Sequence, residues 1–416
     1  MTTSLTSELS LASVQNLFKI KYGKRSDNVY NSFNVLLGTI KKSYDFTGRK
    51  MEFPAPFGFQ GGVSSGLLPE PNAATYNMVE LFAKKVYAVC RLDREAIKAS
   101  MSDEGAFVRM TKEAVSKTVE SWMRNMSRIL FGNGVGAVAG SSPAWGDLGA
   151  IAGTPTESPT GTFACTISAA SWKEANWEEN DFVNVGTGTE LFEITSVVPA
   201  TRVVTLVRQA GGVQVPANLD IIYMQRSRSQ EPAGLRGVCD ATTGNCYGIP
   251  VQRRWQSTQI AAAGAGITPD LMNQLATDVE RRTGKPIKMF VTSYRQLERI
   301  LNQLEDLKRY PVQPRSESLK GKVLFEGVEF MTSAGPVPVF ADRFCDDDRV
   351  YGLNPDYIHA YHRPGFGWFT DDVGGGEGGA GFLRVAGEDS YEARYGGYLE
   401  VFINPAFQGV ITGLAT

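Results

Sequence analysis

The spacing of apolar positions changes character several times along this chain. Between residues 48 and 93 it alternates with a period of two. In TYNMVELFAKKVYAV, Val79, Leu81 and Ala83 fall on one face of a strand. RKMEFPAPFGF is placed to run antiparallel to it. Pro54 and Pro56 remove ladder donors there, which predicts an edge strand or loose pairing. The segment FGFQGGVSSGLLPEPNAATYNM, residues 57–78, then holds the tip of a long hairpin. It is rich in glycine, yet Phe57, Phe59, Leu67 and Leu68 are apolar and have no core of their own to enter.

A different period takes over at SDEGAFVRMTKEAVSKTVESWMRNMSRILF, residues 102–131. Val108, Val115, Val119, Trp122, Met126 and Ile129 form one helical stripe. Ser102 is placed to cap it, and Gly132 to end it. At 1.5 Å per residue this spine is about 43 Å long. Residues 133–160 read as a Gly/Ser/Pro-rich connection. Between 161 and 225, TFACTIS, DFVNV, ELFEITSVV, RVVTLVR and LDIIYM predict a small barrel or sandwich. From 267 the pattern is α/β. Thr268 and Pro269 start a helix with Leu271, Leu275 and Val279 on one face, and Gly284 stops it. KPIKMFV is a buried strand. Ser293 with Gln296 suggests a capping box for a second helix, with Leu297, Ile300, Leu301 and Leu304 as its stripe. Strands return over 322–345 and 382–412. At the start of the chain, SELSLASVQNLFKIKYG offers a short amphipathic helix in an arm too small to be a domain.

Composition narrows the function. The chain has 416 residues, 42% apolar and 21% charged, with a net charge of −2. That balance gives no whole-chain pull toward nucleic acid or an acidic membrane. The N-terminus lacks the pattern of a signal peptide, and no stretch has the length of a transmembrane helix. Five scattered cysteines read as reduced thiols. Only two histidines are present, His359 and His362, and on a strand they face opposite sides. Cys239 and Cys246 stand too far apart for a usual zinc pair and lack a second pair nearby. GNGVGAVAG, residues 132–140, follows a helix and lacks the lysine of a phosphate loop, so it reads as a flexible linker. Asp346, Asp347 and Asp348 read as a solvated turn. Lys19, Lys21, Lys24 and Arg25 are a candidate phosphate contact on the arm. No catalytic, metal or cofactor site emerges, so an enzyme is not expected.

The segment order resembles the major capsid proteins of tailed bacteriophages, the Hong Kong-97-type fold, over roughly residues 30–412. MEFPAPFGFQGGVSSGLLPEPNAATYNMVELFAKKVYAV is similar to the family's extended loop. RLDREAIKASMSDEGAFVRMTKEAVSKTVESWMRNMSRILFGNG is similar to the lead-in and spine helix of its peripheral domain. TPDLMNQLATDVERRTGKPIKMFVTSYRQLERIL is similar to the helix–strand–helix of its axial domain. GVEFMTSAGPVPVFADRFCDDDRVYGLNPDYIHAYH resembles the strands that follow, and EDSYEARYGGYLEVFINPAFQGVITGL the closing strands.

The resemblance implies an α+β chain in six parts. These are an N-terminal arm (1–47), an extended β-hairpin loop (48–93), a peripheral domain with the spine helix (94–154), an inserted β-module (155–232), an axial α/β domain (233–345) and C-terminal strands returning to both domains (346–416). It implies self-association into hexamers and pentamers of an icosahedral shell around double-stranded DNA, held without sequence readout. Further partners would be a scaffolding protein, a portal and a decoration protein. The place would be the virion, after assembly in the host cytoplasm, with no membrane and no cofactor. Phe57, Phe59, Leu67, Leu68 and Tyr76 would contact the neighbouring subunit, while Val115, Val119, Trp122 and Met126 would form the spine core. The loop has no lysine between Lys50 and Lys84, so covalent cross-linking through it is not expected. The N-terminus lacks the long charged helix of a fused scaffold. Two other readings stay open: an encapsulin-like nanocompartment shell, and an extracellular carbohydrate-binding or adhesin-like β-protein using residues 161–225.

Overall fold

A computed structural model describes residues 35–57, 65, 75–95, 110–134, 146–159, 161–169, 171–209, 212–307, 328–333, 335–364, 366–368, 382–385 and 387–415. The chain forms two compact units. The smaller takes in the ranges 88–121 and 369–394, and the larger takes in 34–87, 122–368 and 395–416.

The chain enters through a short helix, α1 (Val35–Thr39), and a strand, β1 (Lys41–Ser43). Strands β2 (Lys50–Phe57) and β3 (Thr75–Phe82) then make a two-stranded ribbon, paired residue for residue from Lys50 opposite Phe82 to Phe57 opposite Thr75. Strand β4 (Lys84–Asp93) follows, then the spine helix α2 (Met110–Leu130). Of the expected spine core, Trp122 and Met126 are buried and Val119 is half-buried. The Val115 side chain lies outside the described residues, as do 101–109. Near its C-terminus the helix is covered on every side, from Met126 through Phe131.

That cover explains the glycines after the helix. A Cβ on Gly134 would stand 1.9 Å from the Pro232 carbonyl oxygen, and one on Gly237 would stand 2.4 Å from that of Gly134. The backbones meet directly: Gly234 N–H donates to Gly134 O and Gly237 N–H to Gly132 O, both at 3.2 Å. Residues 132–134 are therefore a close backbone contact rather than the start of a flexible linker. The rest of that stretch is outside the described residues.

Seven strands come next: β5 (Asp147–Ala150), β6 (Thr156–Glu157), β7 (Thr162–Thr166), β8 (Phe182–Val185), β9 (Phe192–Val198), β10 (Val203–Arg208) and β11 (Ile221–Met224). They form an antiparallel sheet in the order β5-β11-β8-β9-β10-β7-β6. An antiparallel bridge between Ile151 and Ile167, with Ser168 N–H donating to Ala150 O at 2.8 Å, joins the β5 end to the β7 end. The sheet thus curls into a barrel, the first of the two expected forms, and closure removes the free edges. Its own core holds Phe163, Phe192, Ile194, Leu206 and Trp177. It begins at Asp147, upstream of the boundary that the linker composition suggests, because β5 belongs to the same sheet.

After α3 (Leu235–Cys239), the strands β12 (Asn245–Cys246) and β13 (Ile249–Pro250) make a small hairpin, and β14 (Thr258–Ala261) leads into the α/β part. Helix α4 (Pro269–Thr283) starts where the Thr268 hydroxyl accepts the Leu271 N–H, and ends at Gly284 in a left-handed conformation, φ 69°. Strand β15 (Met289–Thr292) is buried at every position. Helix α5 (Tyr294–Leu307) has half of its expected capping box. Ser293 Oγ accepts the Gln296 N–H, but the Gln296 amide donates to Asp347 O and Ala415 O instead of returning to Ser293. Leu301, expected in its apolar stripe, is exposed, and the Leu304 side chain is outside the described residues.

The remaining strands are β16 (Val328–Thr332), β17 (Gly335–Ala341), β18 (Val350–Leu353), β19 (Ile358–His362), β20 (Gly367–Trp368), β21 (Phe382–Arg384), β22 (Ser390–Ile403) and β23 (Gly409–Thr412). One mixed sheet runs β14-β23-β18-β15-β17-β16, and α4 packs on its apolar face. A second runs β1-β19-β22-β20, with β21 and β4 also pairing to β22. In the smaller unit, Arg94 N–H donates to Asp389 O, and Arg91 pairs with Glu388 and Glu392 across exposed surface.

Trp122 is buried and held from three sides. Its ring meets Phe366 at 5.2 Å and Tyr395 at 5.7 Å, and its Nε1–H donates to Val86 O at 3.2 Å. Trp122→Ala should lower unfolding free energy by about 3–5 kcal/mol in urea titration, through a cavity and an orphaned carbonyl.

Candidate functional site: the ribbon and its seat

The β2/β3 ribbon presents two apolar faces. On the inner face Ala55, Val79 and Leu81 are buried, as the alternation predicts for the last two. Ala83, expected beside them, lies between β3 and β4 and is half-buried. On the outer face Tyr76, Met78 and Phe82 remain 60%, 44% and 46% exposed. Opposite them across the ladder stand Pro56, Pro54 and Lys50.

The prolines do not loosen the pairing. Glu80 lies opposite Glu52, and its N–H leaves the ribbon to bond Tyr247 O at 2.9 Å. Antiparallel pairs alternate between bonded and non-bonded, so Pro54 and Pro56, two and four residues on, also stand where an N–H would point outward. No ladder bond is lost, and the outer edge of β2 loses two donors that could recruit another strand. Glu52 and Glu80 are like charges directly opposite one another, which would repel. Lys50 bonds both carboxylates, which raises its own pKa.

The seat of the ribbon is the end of β22. Phe402 takes the Phe53 ring edge-on at 4.9 Å, with Tyr247 at 5.3 Å on the same phenyl. Residues 399–403 of β22 pair with β19 on one side. On the other side, side chains meet the main chain of Val401 and Ile403. Tyr247 Oη donates to Val401 O at 2.9 Å and accepts the Ile403 N–H at 3.1 Å. The Glu400 carboxylate accepts the Val401 N–H at 3.1 Å and the Ala233 N–H at 2.8 Å. Tyr247 and Gly248 form the two-residue turn of the β12/β13 hairpin, at φ 53° and 82°. That turn requires two left-handed residues and normally takes asparagine and glycine. A tyrosine in the first place costs about 1–2 kcal/mol. A side chain at Gly248 would meet Glu80 Cγ at 3.1 Å.

The structure brings only part of the sequence-derived site together. Tyr76 is on the exposed outer face. Phe57 ends β2, but its side chain lies outside the described residues, as do Phe59, Leu67, Leu68, Lys19, Lys21, Lys24 and Arg25. Met78 and Phe82 were not singled out. Their signal was present in TYNMVELF, which is apolar at even as well as odd positions. His359 is half-buried and His362 buried on alternate faces of β19. His362 is stacked on Tyr44 at 5.3 Å, and burial lowers its pKa to about 4. Cys239 and Cys246 are free and buried. The acidic run is a turn with Asp347 exposed, as expected, but Asp346 is not solvated: it pairs with Lys173 at 2.7 Å in a largely buried network with Arg349, which also bonds Asp240. Among the described residues no group of three His, Cys, Asp or Glu could hold a metal, and no helix is long and apolar enough to cross a membrane.

No protein-family model matches the chain, and no curated protein matches it. Solved structures do. A chain from the capsid asymmetric unit of cyanophage A-1(L) corresponds over 98% of this chain and 100% of its own, with a TM-score of 0.55 at 12% identity. The capsid of the native GTA particle corresponds over 98% and 99%, at TM-score 0.47 and 8% identity. The holo-SrpI encapsulin complex from Synechococcus elongatus PCC 7942 corresponds over 97% and 95%, at 0.45 and 9%. The chain thus has the α+β fold of a phage capsid chain along nearly its whole length.

Glu400 gives this seat a pH signature. Burial pushes its carboxyl up to about 8, against the partial pull of the two amide donors and of Lys84. The folded chain therefore keeps a proton that an unfolded carboxyl, at 4.5, has lost. Stability falls as pH rises from 4.5 toward 8, by at most about 1.4 kcal/mol per pH unit, and then levels. Asp342, raised to about 6, and His362 act below that. Urea titrations between about pH 6.5 and 8 should slope downward for the parent chain and run flat for Glu400→Gln.

Proposed function

We propose that this chain is the major capsid protein of a tailed bacteriophage, a subunit that assembles with its own copies into an icosahedral head around double-stranded DNA. The observation that carries the reading is the correspondence with a phage capsid chain over 98% of this chain and 100% of the other, rather than a match over one domain. The ribbon supports it. A two-stranded sheet with one apolar face seated and the other exposed is incomplete as a monomer. In this reading the outer face of residues 75–82, and the loop beyond it with Phe57, Phe59, Leu67 and Leu68, lies on a neighbouring copy within hexamers and pentamers. Val115, Val119, Trp122 and Met126 hold the spine helix in its domain. Lys19, Lys21, Lys24 and Arg25 are the proposed phosphate contacts to DNA bound without sequence readout. Scaffolding, portal and decoration proteins are proposed partners, the virion the proposed location, and assembly is placed in the host cytoplasm. No catalytic role is proposed.

Each exposed apolar side chain covered at such a contact contributes about 1.5–3 kcal/mol. The purified chain, alone or with its scaffold, should form closed shells or capsomer rings in negative-stain microscopy. Tyr76→Asp with Met78→Asp should abolish them while leaving the thermal midpoint of the subunit unchanged, since neither side chain enters the subunit core. A parent chain that stays monomeric under all assembly conditions would sink the reading.

A further inference from the structure

Tyr247 is engaged more fully than a turn residue needs to be. Its backbone stands in a left-handed conformation that tyrosine rarely adopts, at φ 53°. Its carbonyl accepts the Glu80 N–H, a bond the ribbon makes outside its own ladder. Its hydroxyl bridges Val401 O and Ile403 N on the open side of β22. Its ring rests on Phe402, the residue that also receives Phe53 from the other strand of the ribbon. One buried residue is therefore bonded through its main chain to the ribbon and through its side chain to the body.

We infer that Tyr247 is a positioning residue that sets the direction in which the ribbon leaves the subunit. This rests on the shell-subunit reading for its consequence, but not for its test. The geometry has two properties that a packing role alone does not call for. First, the turn cannot relax without moving the ribbon. Glycine or asparagine would satisfy the backbone more easily, but neither carries a hydroxyl that reaches β22. Second, the link to the ribbon is separable from the ribbon itself. The Glu80 N–H points out of the β2/β3 ladder, so removing it leaves all eight residue pairs of the stem in place. Without that link the stem keeps its buried inner face, Ala55, Val79 and Leu81, and the Phe53–Phe402 ring contact, which are non-directional where the hydrogen bond is not.

The test uses spin labels on the full chain. Met78→Cys on the outer face of the ribbon and Lys285→Cys on the exposed end of the α/β part, in a Cys90→Ser background, report the ribbon direction as a distance distribution in the unassembled subunit. Three further changes are compared. Glu80→Pro removes the N–H. Glu80→Ala removes the carboxylate that Lys50 bonds but keeps the N–H. Tyr247→Phe keeps ring and turn but removes the hydroxyl. Glu80→Pro and Tyr247→Phe should each broaden the distribution about twofold or displace its centre, with Glu80→Ala matching the parent, because only the first two cut a link through Tyr247. Where one of the two fails to fold, the other carries the measurement. Parent-like distributions in the folded variants overturn the inference, as does equal broadening by Glu80→Ala. None of these outcomes depends on shells forming. If the parent chain assembles, Glu80→Pro should also give fewer closed shells than Glu80→Ala at equal thermal midpoint. If it never assembles while the distributions behave as expected, the shell reading fails and the positioning role stands.

Discussion

A two-stranded ribbon has two faces and two edges, and the body of this chain covers only one of the faces. This constraint organises the larger unit. The inner face is buried through Ala55, Val79 and Leu81, and the seat is the side of β22 that faces away from β19. On that side the main-chain groups of Val401 and Ile403 are met by the Tyr247 hydroxyl and the Glu400 carboxylate. A strand there would have extended the sheet and occupied the place of the ribbon. Two side chains satisfy the same main-chain groups and leave Phe402 free to receive Phe53. The cost is a strained turn and a carboxyl kept from its ordinary ionisation.

The end of the spine helix follows a second rule, close approach of main chain to main chain. Gly134, Gly234 and Gly237 have no room for a β-carbon where the end of the helix meets residues 232–237. Two backbones so close leave little volume for apolar side chains, and the charge that remains there is paired. Arg128 on α2 bonds Glu231 on the segment that leaves the barrel, and both are buried. Breaking such a pair would strand a charge away from water, so the exit of the barrel is tied to the helix by contacts that fail together.

Much of this architecture is legible in local sequence patterns. Five of the barrel strands, the α4 caps at Thr268 and Gly284, the buried β15 and the antiparallel pairing of the ribbon all follow from local patterns, period two or period 3.6 with stop signals at the ends. What escaped the sequence depends on partners far along the chain. β5 looks like linker until β11 pairs with it. Gln296 looks like half of a capping box until the Asp347 and Ala415 carbonyls compete for its amide. Asp346 looks solvated until Lys173 arrives from the barrel. Within the candidate site, Tyr76 enters through the resemblance alone, and the alternation that marks Val79 and Leu81 as one face says nothing of how far Tyr76, Met78 and Phe82 on the other are covered.

The ribbon also carries defences against strand addition. Its outer face exposes Tyr76, Met78 and Phe82 beside two free-standing strand edges. The defences sit in the backbone and at the base. Pro54 and Pro56 remove donors from the outer edge of β2 without weakening the ladder, and the Glu80 N–H on the outer edge of β3 is already taken by Tyr247. Lys50, Glu52 and Glu80 place a charged cluster beside Phe82. Edge pairing is thereby discouraged while face burial remains open. A surface closed to strands but open to flat apolar contact selects a partner by shape, and many identical copies can offer that shape at once.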